Sequence, residues 1–135
     1  MANTITKQTL SDGDRNLVVK ITIEGDGTGD ETDVELIDIS TYTSSSTDKP
    51  IDNVSVNRIS GNLTGFSIKL SWDATSNVML ASFDTSEFDS DYFSDFGGLV
   101  NPKASGYTGD ILFTTTGLGA GDNGFLILEM VKKYA

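Results

Sequence analysis

The feature that most constrains the fold of this chain is a two-residue alternation of apolar and polar side chains. Between residues 17 and 24 every second position is Leu, Val or Ile, and between residues 66 and 72 every second position is Phe, Ile, Leu or Trp. Successive side chains of a β-strand point to opposite faces, so these segments predict half-buried strands. The only helix-like spacing joins Phe88, Tyr92 and Phe96. The pattern therefore predicts an all-β fold.

Shorter apolar segments predict further strands. Val54 and Val56 alternate with polar residues, residues 111–113 lead into a threonine triplet, and residues 125–131 are apolar on both faces. A strand that is apolar on both faces is either central in its sheet or buried by a neighbouring subunit. Weaker candidates are the segments 5–10, 34–39 and 78–83.

Turn signals separate these segments. Asp12-Gly13-Asp14 lies at hairpin distance between the first two strands, residues 40–47 are almost all Ser or Thr, and the glycine-rich residues 117–124 link the last two strands. Many short strands with turns at this spacing are typical of sandwiches and barrels. We predict an antiparallel β-sandwich (jelly-roll-like) or barrel of about eight strands. It forms a single β domain covering residues 1–135.

The composition limits the chemistry that this chain can perform. There is no cysteine and no histidine, which excludes disulfides, thiol chemistry and any Ser-His-Asp or Cys-His catalytic arrangement. Histidine is also the commonest general base and a preferred zinc ligand. Carboxylates remain, and glycosidases work with carboxylates alone. We expect a protein that is not an enzyme and has no catalytic, cofactor-binding or metal-binding residues.

The charge of the chain limits its partners. Twenty acidic and nine basic residues give a net charge of −11, which repels nucleic acid and anionic membrane surfaces. No apolar signal core follows Met1, and the aliphatic and aromatic run Phe125–Leu128 is too short to span a bilayer. We expect a complete product of the cytoplasm that binds neither nucleic acid nor membrane.

Two glycine-rich segments resemble ligand motifs. Gly119 to Gly124 fits the pattern GxGxxG, but a strand-like run follows it where a dinucleotide site requires a helix. We interpret it as a hairpin loop. Four carboxylates between Asp26 and Asp33 cluster around Gly25, Gly27 and Gly29, a pattern that can wrap calcium. Glu31 stands where an EF-hand requires glycine, so we interpret this segment as a solvated acidic turn.

Aromatic residues provide two further candidates. Trp72 ends the cleanest predicted strand and is expected in the core, with a sugar-binding platform as the alternative. The predicted loop from Asp84 to Gly98 combines acids with aromatics, in a stretch without basic residues between Lys69 and Lys103. Buried aromatics carry much of the affinity of protein interfaces, although large aromatics are mostly buried and in such a loop can instead cover one end of the core. The predicted partner contacts are Phe88, Asp89, Asp91, Tyr92 and Phe93.

Several segments, taken in order, resemble short virion structural proteins of tailed bacteriophages, especially phages of aquatic bacteria. They are ITKQTLSDGDRNLVVKITIE (5–24), GDGTGD (25–30), LSWDATSN (70–77), FGGL (96–99), GYTGDILFTTT (106–116) and FLILEMVKKYA (125–135). The resemblance covers most of the chain and is weakest from residue 40 to residue 59. None of the segments is a chemical motif, so the specificity of the resemblance comes only from the order of the segments along the chain.

The resemblance implies a capsid decoration (cement) protein that binds the major capsid protein on the capsid exterior and stabilises the shell. It implies a β-rich homotrimer without catalytic residues or cofactors. The C-terminal run, apolar on both faces, independently favours self-association. The alternatives are a tail, neck or fibre-associated virion protein, a lectin-like carbohydrate-binding module and, most remotely, a carboxylate-only glycosidase.

Overall fold

The computed structural model describes residues 3–42, 49–83, 87–92 and 97–134, with the backbone alone for residues 87–92. The described residues form nine strands and one short 3-10 helix. These are β1 (Thr4–Asp12), β2 (Asn16–Glu24), β3 (Val34–Ile37), η1 (Ile39–Thr41), β4 (Ile51–Thr64), β5 (Ser67–Trp72), β6 (Val78–Phe83), β7 (Glu87–Tyr92), β8 (Ile111–Thr116) and β9 (Asn123–Tyr134). In this described part of the chain, no helix is long and apolar enough to cross a membrane.

The strands form two antiparallel sheets. The five-stranded sheet has the order β1-β2-β9-β4-β7, and the four-stranded sheet has the order β3-β8-β5-β6. Without β1, these two orders are those of a jelly roll, in which paired Greek keys make the chain pass repeatedly from one sheet to the other. The predicted sandwich is therefore confirmed, and the described strands form two separate sheets rather than a closed barrel.

The core lies between the sheets and contains the apolar side of each alternating strand. The inward residues of β2 are fully buried, and so are Phe113 from β8 and Leu126 and Leu128 from β9. Trp72 is only 3% exposed, so the prediction that it belongs to the core is confirmed. Full burial of a large apolar side chain contributes roughly 1.5–3 kcal/mol, so the two-residue period of the sequence accounts for much of the stability.

The turn between β1 and β2 forms the predicted hairpin, and interactions of Lys132 in β9 stabilise it. The Gly13 N–H donates to the Asn16 carbonyl at 2.9 Å. The buried Lys132 ammonium pairs with the Asp12 carboxylate and donates to the Gly13 carbonyl at 2.6 Å. The Lys132 N–H donates to the Arg15 carbonyl at 2.7 Å. The hairpin end is thus bound to the central strand of its sheet.

Two predicted connections differ from the structure. Residues 117–122 join β8 of one sheet to β9 of the other, so the segment with the GxGxxG pattern is a crossover between sheets and not a hairpin loop. Residues 87–92, predicted to lie within a loop, form the edge strand β7. Hydrogen bonding to β4 supplies β7 with backbone partners, which local sequence patterns do not reveal.

Candidate functional site

The predicted partner contacts lie at one edge of the five-stranded sheet. Phe88, Asp89, Asp91 and Tyr92 belong to β7, and Phe93 lies outside the described residues. β7 pairs with β4, with Tyr92 opposite Arg58 and Phe88 opposite Gly61. Among the described strands, none pairs with the other edge of β7. The structure therefore brings four of the five residues together on one short edge strand.

The carboxylates of the acidic segment 26–33, after β2, accept hydrogen bonds that stabilise the loops around them. Asp30 accepts hydrogen bonds from the N–H groups of Leu118 and Gly117, at 2.8 and 3.1 Å, and from the Thr115 hydroxyl at 3.1 Å. These bonds, led by that from Leu118, lower the pKa of Asp30. Asp26 accepts from the hydroxyl and the N–H of Thr28, and this hydroxyl bond lowers the pKa of Asp26. Asp30 therefore connects the segment after β2 to the segment after β8, whereas Asp26 closes a turn within its own segment.

Three other carboxylates come together beside η1. Oxygens of Glu35, Asp38 and Asp110 lie within 4.8 Å of one another. Asp38 caps η1 by accepting from the Ser40 N–H at 3.0 Å, and Asp110 accepts from the Ile39 N–H at 3.0 Å. These bonds give Asp38 and Asp110 a structural role at the start of η1, so the capping of η1 explains much of the cluster.

The same cluster has divergent pKa values. Burial raises the pKa of Glu35, and so do its hydrogen bond to Asp38 and repulsion from Asp110. Burial likewise raises the pKa of Asp110, whereas the hydrogen bond from Ser40 lowers that of Asp38. A recess of about 410 Å³ adjoins the cluster. Its lining includes Ile39, Tyr42, Pro50, Ile51 and Thr108. Divergent carboxyl pKa values beside a recess are also found in acid–base catalysis.

A second recess, which we call the Phe125 recess, lies on the solvent-facing side of the five-stranded sheet. Phe125 belongs to the central strand β9 and is 36% exposed. The Lys20 ammonium lies 5.2 Å from the centroid of the Phe125 ring. Polar side chains surround the ring, and the recess has a volume of about 440 Å³. The polar residues around the ring are Lys20, Thr22, Glu24, Asn62, Thr64 and Asn123.

Sequence reasoning missed both recesses. Glu35 and Asp110 are far apart in the chain and meet only because β3 pairs with β8. Phe125 was recognised as part of an apolar strand, but Trp72 was considered as the sugar platform, and its burial excludes that role. The available signal was the alternation within residues 123–131, which places Phe125 on the side opposite the buried Leu126.

No protein-family model matches the chain, and a search of curated proteins finds no significant relative. The function is therefore inferred from the jelly roll, the geometry of its edges and recesses, and the sequence features.

Proposed function

We propose that this chain is a structural protein of a tailed-bacteriophage virion, specifically a capsid decoration protein that binds and stabilises the capsid shell. The observation that carries this proposal is the jelly-roll strand order, an architecture found in viral capsid domains and also in lectins and cupins. One fold serves several functions, so the ordered segments that resemble phage virion proteins select among them.

The charge supports a position on the capsid exterior. The net charge of −11 repels packaged DNA and keeps a protein soluble at high local concentration. An acidic protein associates fastest with a complementary basic surface. The major capsid protein is the proposed partner, and the proposal requires it to present such a surface on the outside of the shell.

The proposed contact is the edge strand β7 together with Phe93. An edge strand offers unpaired backbone groups to another chain. Phe88 and Tyr92 are the proposed anchors, while Asp89 and Asp91 steer association through their charge. The contact thus combines main-chain pairing, apolar burial and electrostatic attraction at one edge of the sandwich.

We also propose that the protein is a homotrimer, a number that comes from the resemblance. β9 is the central strand of its sheet, so its apolar inward side is buried within one subunit. On its outward side Val131, six residues along the strand from Phe125, is half-buried and would be covered further by a neighbouring copy. Light scattering is expected to show a trimer, and a stable monomer at micromolar concentration would contradict self-association.

Add-back to virions stripped of this protein tests the attachment. The purified chain should rebind and raise the temperature at which the capsids release DNA. Asp89→Ala combined with Asp91→Ala should slow binding and flatten its salt dependence, and Phe88→Ala should speed release at a cost of roughly 1–3 kcal/mol. Glu24→Ala, a charge change distant in sequence on β2, is the control. Wild-type rebinding by all folded variants would exclude β7 as the contact.

A further inference from the structure

We propose that the Phe125 recess is a binding site for a neutral oligosaccharide, an activity separate from capsid attachment. The site lies on the outward side of the central strand, where β9 is flanked by β2 and β4. Its two essential parts are an exposed aromatic ring and a surrounding set of polar side chains. The site is defined by the geometry of these two parts and does not depend on the virion role.

The aromatic part is a ring fixed on a rigid element. Phe125 stands between Thr22 and Asn62, its partners on the two neighbouring strands. Rings held on a strand are positioned more firmly than rings on a loop. One side of a pyranose presents mainly C–H groups, and these pack on the face of an aromatic ring. The cation–π contact from Lys20 is weak at an exposed position, so a ligand can displace it.

The polar part of the recess has unused hydrogen-bonding capacity. Within the described residues, the side chains of Thr22, Glu24 and Asn123 have no hydrogen-bond partner in the protein, and Asn62 only accepts a long bond of 3.4 Å from Thr64. Elsewhere on this sheet Arg58 and Glu129 pair with each other at 2.9 Å. Free amides, hydroxyls and a carboxylate around one ring match the alternating donors and acceptors of sugar hydroxyls.

Size and charge define the class of saccharide. A volume of about 440 Å³ lies within the usual range for small-molecule sites and admits a short stretch of a glycan chain. Lys20 and Glu24 balance each other within the recess, whereas the whole chain has a net charge of −11. The negative electrostatic potential of the chain repels a polyanionic glycan. The expected ligand is therefore neutral.

A titration followed by amide nuclear magnetic resonance tests the site on the full chain. The probes are cellohexaose, laminarihexaose, maltohexaose and chitohexaose, with alginate as the anionic probe. At least one neutral probe should shift the amide signals of Thr22, Gly124 and Phe125. No shift with any neutral probe at millimolar concentration, or shifts with alginate alone, would overturn the proposal.

Variants locate the binding on the ring. Phe125→Leu keeps the apolar volume and should weaken binding about tenfold, because it removes the ring face. Phe125→Tyr should retain binding, and Ile127→Ala, two residues along the same strand, is the matched control. Unchanged affinity in Phe125→Leu would also overturn the proposal. None of these results bears on rebinding to stripped capsids, so failure here is distinguishable from failure of the virion role.

Discussion

At the scale of single residues, Lys132 shows how one buried charge secures a hairpin. Its side chain is fully buried, while that of its partner Asp12 is 37% exposed. Removing the partner of a buried charge is more costly than removing the charge itself, because an unpaired buried charge retains its desolvation penalty. The two ends of this ion pair are therefore expected to respond differently to substitution.

We expect Asp12→Ala to lower the free energy of unfolding by about 2–4 kcal/mol, and Lys132→Met by about half as much. Of the described residues, Asp12→Ala leaves only the Gly13 carbonyl as a partner of the buried Lys132 ammonium, whereas Lys132→Met replaces this ammonium by an apolar side chain of similar length. Urea denaturation measures both values. Equal effects, or a larger effect for Lys132→Met, would show that the ion pair does not dominate this contact.

Also at the scale of single residues, the contribution of Glu35 to folding stability depends on pH. Its pKa is raised above the ordinary 4.5, chiefly by burial and by its neighbours Asp38 and Asp110. The folded state therefore favours the protonated form, so this contribution to stability is present below the ordinary pKa and is lost as the pH rises through the folded value. Above that folded value the exposed Glu35 side chain is ionised and this contribution is absent.

The variant Glu35→Gln imitates the protonated form and should melt at a higher temperature than the wild type at pH 7. The difference should shrink as the pH falls toward 4.5, because the wild-type residue then takes up its proton. Glu24→Gln, which removes an equal charge outside the cluster, is the control. A difference that stays constant from pH 7 to about 4 would refute the linkage.

At the scale of elements, the fit between β4 and β9 depends on Gly61. Its φ is +155°, and a Cβ there would lie 2.1 Å from the Phe125 carbonyl oxygen. That contact is with backbone, so the two long strands would have to separate. Gly61→Ala should lower the free energy of unfolding by about 4 kcal/mol. Thermal or urea unfolding measures the loss.

Gly121→Ala is the matched control for this prediction. Gly121 also has a positive φ, +83°, but among the described residues none beyond its two chain neighbours has an atom within 4 Å of a Cβ placed there. It should therefore cost only the conformational penalty of about 1–2 kcal/mol. Similar losses in the two variants would mean that close strand approach at Gly61 is unimportant.

The elements also show what the sequence could predict. The alternation within β2 and β5 identified both strands, and residues 78–83 were predicted with the bounds that β6 has. The full length of β4 was not predicted, because Gly61 and register shifts near the start and in the middle of the strand interrupt its period. β7 was predicted as part of a loop, since pairing with β4 and not local propensity makes it a strand.

The candidate sites were less predictable than the strands, for a related reason. The edge position of β7 and the grouping of Glu35 with Asp110 depend on which strands become neighbours. Strand order is a property of the assembled sandwich, whereas turn and period signals act over a few residues. Ordinary alternation identifies a strand, but the neighbours of Phe125 follow only from the register of β2 and β4 on β9.

At the scale of the whole molecule, the chain combines a jelly roll with a strongly acidic composition. The sandwich has its sheets packed through one apolar core, and the net charge of −11 maintains solubility and disfavours contact with DNA. These properties suit a protein displayed in many copies on a capsid. They suit a tail, neck or fibre protein less, because such structures hold far fewer copies.

The most direct test of the proposed function is the copy number of this protein in purified virions. Quantitative mass spectrometry, with the major capsid protein as the internal standard, gives this number. A decoration protein follows the symmetry of the shell, so we expect hundreds of copies in a simple ratio to the major capsid protein. A few to a few dozen copies would place the chain in the tail or neck, and its absence from the particle would contradict the virion role altogether.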